Sequence, residues 1–367
     1  MPPIRHYFDH AATSPIREDM IDQYNHYLRE FSWNAGTVYE GGLNSKKALE
    51  TARGDFSQFL SVQPETIIFT SGGTESNNLA IHAFSKNKKQ GVIWLSKTVH
   101  PSQKEPAMAL AEKGWQIIDL PTRKSGVIDL SRLDSLPDPD LFVCEWVNSE
   151  AGFIQPIAEL GQYLQDHHSK CHLLVDGVQG FAKVKLPPLK NVHAFSISGH
   201  KVGAPVGVGA LMLKHKKTCA LNKGGGQEGG WRSGTVAVPA ICIFRDTFMK
   251  MSKTPLKLTP SFSQNGPSII RNNEENYTPA IWLLNTAPVD GEVLLHQLES
   301  YGVAVGLGSA CKASRKKISE THRALGLDDT SSRKTLRLSL SPYTDQDSLT
   351  YTCELIEKLW NESKKFF

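Results

Sequence analysis

The chain has 367 residues, 40% of them hydrophobic and 21% charged, with a formal net charge of +4. That length exceeds one typical hydrophobic core and predicts two domains, or one large domain with an appendage, and the composition is that of an ordinary globular protein. So small a charge gives no basis for a nucleic-acid or anionic-membrane partner, and no apolar run approaches the roughly 18 residues that span a bilayer. Residues 1–10 contain no apolar leader segment. The six cysteines (Cys144, Cys171, Cys219, Cys242, Cys311, Cys353) lack metal-ligand spacing and read as reduced thiols. A cytoplasmic protein without a resident metal is the expectation.

In chain order, a helix over 45–60 puts Leu49, Ala52, Phe56 and Leu60 on one face. Short β-rich runs then alternate with helical patterns. Strands are predicted at 66–70, 92–96, 116–120, 141–147, 172–175, 194–197 and 208–213, and helices at 75–85, 101–113 and 156–167. That alternation predicts an α/β fold with a large, doubly wound, mainly parallel sheet. The character changes after Met251: residues 252–279 are rich in Pro, Ser, Asn and charge and read as a linker or long loop. A small α+β domain follows, with an apolar run at 281–284, a helix at 291–301 and a Gly-rich stretch at 302–309. A helix at 315–325, an alternating strand at 335–340 and a last helix complete it. That helix starts at Thr344 with Asp347 three residues on, a capping-box-like pattern, and its apolar face is Leu349, Cys353, Ile356 and Trp360.

Three stretches carry chemistry. Ser196-Ile197-Ser198-Gly199-His200-Lys201-Val202-Gly203 reads as a strand, a tight turn and a lysine held at its tip. A lysine beside hydroxyl and histidine donors suits a Schiff base with a phosphorylated aldehyde, because desolvation frees its amine; otherwise it is a solvated lysine in a hairpin. Phe69-Thr70-Ser71-Gly72-Gly73-Thr74-Glu75-Ser76 enters a helix through glycines and hydroxyls, as phosphate-binding loops and plain N-caps both do. His172-Leu173-Leu174-Val175-Asp176 places a carboxylate at the carboxyl end of a buried strand, the usual ligand crevice in open α/β sheets. An anion there pairs with a pyridinium nitrogen and keeps the ring an electron sink; Gln179 and His100 lie in the adjoining loops.

Together with Arg232-Ser233-Gly234-Thr235 and Gly308-Ser309-Ala310-Cys311, these motifs resemble, in this order, the cysteine desulfurases. Those are fold-type I pyridoxal-phosphate enzymes of the class V aminotransferase superfamily. The resemblance runs from Tyr7-Phe8-Asp9-His10-Ala11-Ala12-Thr13-Ser14 to Trp360. It implies a large cofactor-binding domain over 15–251 and a small domain over 252–367, joined by 1–14. Lys201 would hold pyridoxal 5'-phosphate, Asp176 would pair with the ring nitrogen, and Gln179 and Ser149 would face the ring oxygen. His100 would stack on the ring and relay protons. Gly73, Thr74, Ser198 and His200 would bind the phosphate. Thr235 would reach it from the partner subunit of a homodimer. Arg337, with Asn34, would clamp the carboxylate of the L-cysteine substrate.

Cys311 narrows the reaction. It lies among small residues, and Lys312 favours its thiolate, the form that attacks sulfur. The resemblance implies a Cys311 persulfide, alanine as co-product, and a sulfur-acceptor protein serving iron–sulfur clusters or thiolated tRNA. Lys312, Arg315, Lys316 and Lys317 form a basic cluster that would guide an acidic acceptor or else solvate a helix face. Several positions depart from the family pattern. Tyr39 ends a segment that lacks the family's proline and histidine, Ser149 replaces the second of two asparagines, and Gln227 replaces a histidine. The linker at 252–279 stands where a long helix is usual. Two alternatives stay open: a class V relative such as a selenocysteine lyase or aminotransferase, and a cofactor-binding scaffold without turnover.

Overall fold

The computed structural model describes residues 3–215, 217–271, 276–308 and 318–367. In chain order the elements begin β1 (His6–Phe8), α1 (Glu18–Glu30), α2 (Glu40–Leu60), β2 (Ile67–Thr70), α3 (Gly73–Ser85), β3 (Val92–Leu95) and α4 (Pro101–Ala111). They continue β4 (Gln116–Asp119), β5 (Leu141–Glu145), α5 (Ile157–His167), β6 (His172–Asp176), β7 (Ala194–Ser198), β8 (Gly209–Leu213) and α6 (Val238–Ser252). The remainder is β9 (Ser268–Ile269), β10 (Ile281–Asn285), α7 (Gly291–Ser300), β11 (Val303–Val305), α8 (Glu320–Ala324), α9 (Asp329–Arg333), β12 (Thr335–Ser339) and α10 (Gln346–Ser363).

Seven strands form one sheet in the order β2-β8-β7-β6-β5-β3-β4. The pairs β3–β4, β3–β5, β5–β6 and β6–β7 are parallel, and β8 runs antiparallel to both β2 and β7. Apart from the edge strand β4, whose ends are exposed, the strands read as largely apolar runs because both faces are covered. Along β5, Phe142 and Cys144 enter one core with helices α2, α5 and α6, while Leu141 and Val143 enter another with α3 and α4. The face of α2 expected from its spacing is buried: Leu49, Ala52, Phe56 and Leu60 are at most 6% exposed. Phe56 meets Phe69, Phe181, Phe244 and Phe248, so α2 and α6 close over the sheet edge through aromatic contact.

A separate three-stranded antiparallel sheet, β12-β10-β9, lies in the C-terminal part. The short parallel pair β1–β11 adjoins it through bridges at Asp9–Ser339 and Gly306–Arg337. Phe8, Leu284, Leu294, Leu336, Ile356 and Trp360 share its core, so the chain's start packs with its end. Five elements were not anticipated, the two-residue β9 within the expected linker, the short α9, and three others. β1 is three residues long and depends on a partner about 300 positions away, α1 buries only Met20, and the run Val238–Ser252 is apolar nearly all round. The last helix starts later than its sequence pattern suggested. Asp345, not Thr344, is the N-cap, accepting from Ser348 N, while Thr344 Oγ1 accepts from Ser341 N. Among the described residues no helix is long and apolar enough to cross a membrane.

His322 in α8 supplies a pH dependence of the fold. Its ring is fully buried, Nδ1 sits 2.6 Å from Ser332 Oγ, and Nε2 has no partner among the described residues. Burial pushes its pKa from 6.5 down to about 4. The unfolded chain therefore binds this proton first as pH falls. The fold loses nothing above about pH 6.5 and loses about 3 kcal/mol at this residue by pH 4. Urea midpoints measured at pH 7.5 and pH 4.5 should fall with acid, and the fall should shrink in His322→Gln.

Candidate active site

The carboxyl ends of β3, β5, β6 and β7 meet at one edge of the large sheet, and the functional side chains follow from those ends. Asp176 closes β6 and is 8% exposed. Its Oδ1 accepts from Val178 N at 2.9 Å and its Oδ2 from Asn77 Nδ2 at 2.8 Å. Glu145 stands beside it in register at the end of β5. Burial raises the Glu145 carboxyl above its ordinary range even though Thr98 Oγ1 donates to it.

β7 ends at Ser198, and a single tight turn over Gly199–Lys201 carries Lys201 into the edge. Lys201 Nζ donates to the carbonyls of Ala11 and Ala12 at 2.7 and 2.6 Å. Gln179 Nε2 donates to the same Ala11 carbonyl at 2.8 Å, and its buried Oε1 has no partner among the described residues. His200 Nδ1 lies 3.2 Å from Thr13 Oγ1. The segment 9–14 is thus one wall of the site. From β12, Arg337 donates through Nη1 to Ser149 O at 2.8 Å and through Nη2 to Asp9 Oδ1 at 2.7 Å. The guanidinium is nearly buried, and its Nε has no acceptor among the described residues.

The opposite wall is the start of α3. Gly72 adopts φ 150° and ψ −174°, a backbone open to glycine. A Cβ on Gly73 would lie 2.8 Å from Val178 Cγ2, so only glycine passes there. Ser198 borders the same turn: its Oγ is 3.6 Å from where a Gly72 Cβ would stand. The first helical N–H groups, at Gly73 and Thr74, have no intrahelical acceptors, and Thr74 is exposed. Glu75 is engaged elsewhere, accepting from Ser71 N and from Arg232 Nε. Burial works to raise its carboxyl, but those donors hold it below the ordinary value.

Positive charge dominates the interior. Lys183 feels the charges of Lys201 and Arg337; burial first, then those two charges, push its ammonium from 10.5 down to about 7. Burial, Lys201 and Lys183 push His200 down to about 4. Burial and Lys183 push His10 down to about 3 against a raising contact with the Tyr7 backbone. Burial lowers His100 as well; Asp176 opposes that and Lys201 adds to it. Three cations and a helix start, facing one buried carboxylate, suit a ligand with a phosphate and a carbonyl for an amine, and a substrate bearing a carboxylate. The orphaned Arg337 Nε and Gln179 Oε1 are sites such ligands would satisfy.

The structure brings together Lys201, His200, Gln179, Asp176, His100, Ser198, Gly73 and Arg337. Ser149 contributes its carbonyl to Arg337 rather than its hydroxyl. Asn34 is exposed and its Oδ1 closes a local turn on Gly36 N. Thr235 is also exposed, and among the described residues no hydrogen bond joins either one to the pocket. Gln227 Oε1 accepts from Gly234 N, tying the loop that precedes Thr235. Cys311 and the basic cluster Lys312, Arg315, Lys316 and Lys317 lie outside the described residues. Asp9, Asn77, Ser102 and Lys183 were not singled out from sequence. Asp9 stands within a motif that was read and Asn77 directly follows one, but their partners lie far away in the chain.

Comparison with known proteins places this arrangement among relatives. The Aminotransferase class-V family model matches residues 6–259. Cysteine desulfurase of Mus musculus is 33% identical over 370 residues, covering 95% of this chain and 80% of that protein. Cysteine desulfurase IscS of Dictyoglomus turgidum is 32% identical over 378 residues, covering 96% and 94%. Among solved structures, a NifS-like protein superposes with a TM-score of 0.87 at 26% identity, covering 98% of this chain and all of that one. SspA in complex with cysteine does so at 0.79 and 26%, covering 93% of this chain and all of that one.

The charge of Lys183 makes a measurable prediction. Its folded pKa lies below its unfolded one, so its cost is full below about pH 7 and vanishes above about 10.5. Lys183→Met should raise the Tm of the cofactor-free protein by about 5 °C at pH 7, and the gain should shrink toward pH 10.

Proposed function

The chain belongs to the aminotransferase class-V family and, within it, to the pyridoxal 5'-phosphate-dependent cysteine desulfurases, and from that premise we propose how its residues divide the work. Sulfur is taken from L-cysteine and L-alanine is left. Bound at this edge, pyridoxal phosphate supplies a carbonyl for amines and a ring that accepts electrons from the substrate's α-carbon.

Lys201 is the residue that would carry the cofactor, with Asp176 under the ring nitrogen, Gln179 toward the ring oxygen and His100 over the ring face. Gly73, Thr74, Ser198 and His200 would hold the phosphate at the start of α3. The observation that carries the substrate assignment is Arg337. It is buried, its plane is fixed by Asp9 and the Ser149 carbonyl, and its Nε is left for the substrate carboxylate. Lys183 adds positive charge to that same interior. Cys311 stands three residues past Gly308, whose neighbours include Thr335 in the strand of Arg337. Its thiolate attacks the substrate sulfur and keeps it as a persulfide, and the carbon fragment leaves as alanine after protonation.

The persulfide sulfur then passes to an acceptor protein. Iron–sulfur cluster assembly and tRNA thiolation are the destinations we propose. The enzyme would act as a homodimer, with Thr235, exposed on each chain, reaching the phosphate of its partner.

The direct test mixes the purified protein with L-cysteine and a reductant and follows alanine and sulfide. Wild type should make both, and Lys201→Ala and Cys311→Ala should lose at least 100-fold in sulfide release. Arg337→Ala should raise KM for cysteine about 10- to 100-fold, more than it lowers kcat. Alanine and sulfide from Cys311→Ala at the wild-type rate would overturn the assignment in favour of a lyase or aminotransferase.

A further inference from the structure

The loop after β3 and the carboxylate at the end of β6 are joined by an unbroken chain of hydrogen bonds. Asp176 Oδ2 is 2.8 Å from Asn77 Nδ2, the same Nδ2 is 2.9 Å from Ser102 Oγ, and Ser102 Oγ is 2.8 Å from His100 Nδ1. Ser102 N also points at His100 Nδ1, at 3.1 Å. Asn77 and Ser102 are 3% and 8% exposed.

The donors decide which way each bond runs. A carboxylate accepts, so the Asn77 amide must present its NH2 group, and an NH2 group donates at both contacts. Ser102 Oγ therefore accepts from Asn77, and its own hydrogen is directed to His100 Nδ1. The Ser102 backbone N–H can only donate. Nδ1 thus receives two donors and carries no proton of its own. This contact is also the N-cap of α4, whose first helical residue is Pro101, so a proton on Nδ1 would oppose the cap.

We propose that Asn77 and Ser102 are positioning residues that lock His100 as the neutral tautomer bearing its proton on Nε2, with Asp176 as the fixed end of the lock. Nε2 has no hydrogen-bond partner among the described residues, and His100 keeps partial solvent access at the sheet edge while its ring feels Asp176 and Lys201. In this state His100 offers the site a hydrogen-bond donor. It gains a second proton only by breaking both the Ser102 contact and the helix cap. The charged groups that bear on the ring act in opposite senses, Asp176 favouring the protonated form and Lys201 disfavouring it, and burial sides with Lys201. The tautomer follows from hydrogen-bond direction alone, while its use in turnover rests on the desulfurase reading.

The test is nitrogen-15 NMR of the holoenzyme with ring-labelled histidine, the His100 signals being assigned by their loss in His100→Gln. Nδ1 should appear unprotonated and Nε2 protonated at pH 8. Removing the hydroxyl in Ser102→Ala removes a bond to the neutral form, so His100 should titrate about 0.5 to 1 unit higher. Asn77→Ala should shift it in the same direction, and Ser102→Thr should restore the wild-type value. The limb of the pH–rate profile that reports His100 should move with the NMR titration. A proton on Nδ1 in wild type, or an unchanged titration in both Ser102→Ala and Asn77→Ala, overturns the proposal. The ring signals do not depend on turnover, so an enzyme inert to cysteine with an Nε2–H imidazole would sink the desulfurase reading and leave the lock standing.

Discussion

A single buried carboxylate at the end of a parallel strand sets the terms for the whole site. Asp176 is kept from water at the sheet edge and held by Val178 N and Asn77 Nδ2. Burial pushes its neighbour Glu145 toward the neutral acid, which eases the repulsion between the two carboxyls. Around that anion stand Lys201, Lys183 and Arg337. Burial first, and then the charges of Lys201 and Arg337, lower the ammonium of Lys183, while Asp9 pairs with Arg337. A site this positive is complete only with anionic ligands, which is the character of a phosphorylated cofactor and an amino-acid substrate. Stability is given up here for binding, since the same charges that recruit ligands destabilise the ligand-free fold.

The second constraint is the chain's own beginning. Residues 9–14 meet Lys201, Gln179 and His200 through the Ala11 and Ala12 carbonyls and the Thr13 hydroxyl, while Asp9 fixes Arg337. The large sheet and the C-terminal sheet are thereby referred to one short segment. Arg337 also reaches the Ser149 carbonyl, and next to it Asn148 donates to Thr321 and Ser319 donates to Glu150. Gly308 lies close to Thr335 and His322, and Ser319 is tied to the loop at the end of β5 through Glu150.

The large sheet was legible because its strands are buried on both faces and its helices show clean periodicity over ten or more residues. Lys201, Asp176, His100 and the glycine turn were legible for a related reason: each lies at a strand end, where apolar runs give way to small and polar residues. Asp9, Asn77 and Ser102 were not. Nothing local distinguishes a serine that caps a helix from one that bonds a histidine and an asparagine 25 positions away. Lys183 was invisible because its environment is built from Lys201 and Arg337, residues distant in sequence. The start of α10 was misplaced by one residue because Thr344 and Asp345 are both good caps, and only the bond from Ser348 N separates them. At Ser149 the sequence directed attention to the side chain, and the backbone carbonyl's bond to Arg337 had no local signal at all.

Transfer of sulfur from L-cysteine to Cys311 can be observed by adding one equivalent of L-cysteine to the holoenzyme without reductant, quenching with an alkylating agent, and weighing the Cys311 peptide by mass spectrometry. The expected result is one extra sulfur atom on that peptide, matched mole for mole by alanine, and none on peptides of the five other cysteines. Alanine formed while Cys311 stays a plain thiol would contradict it.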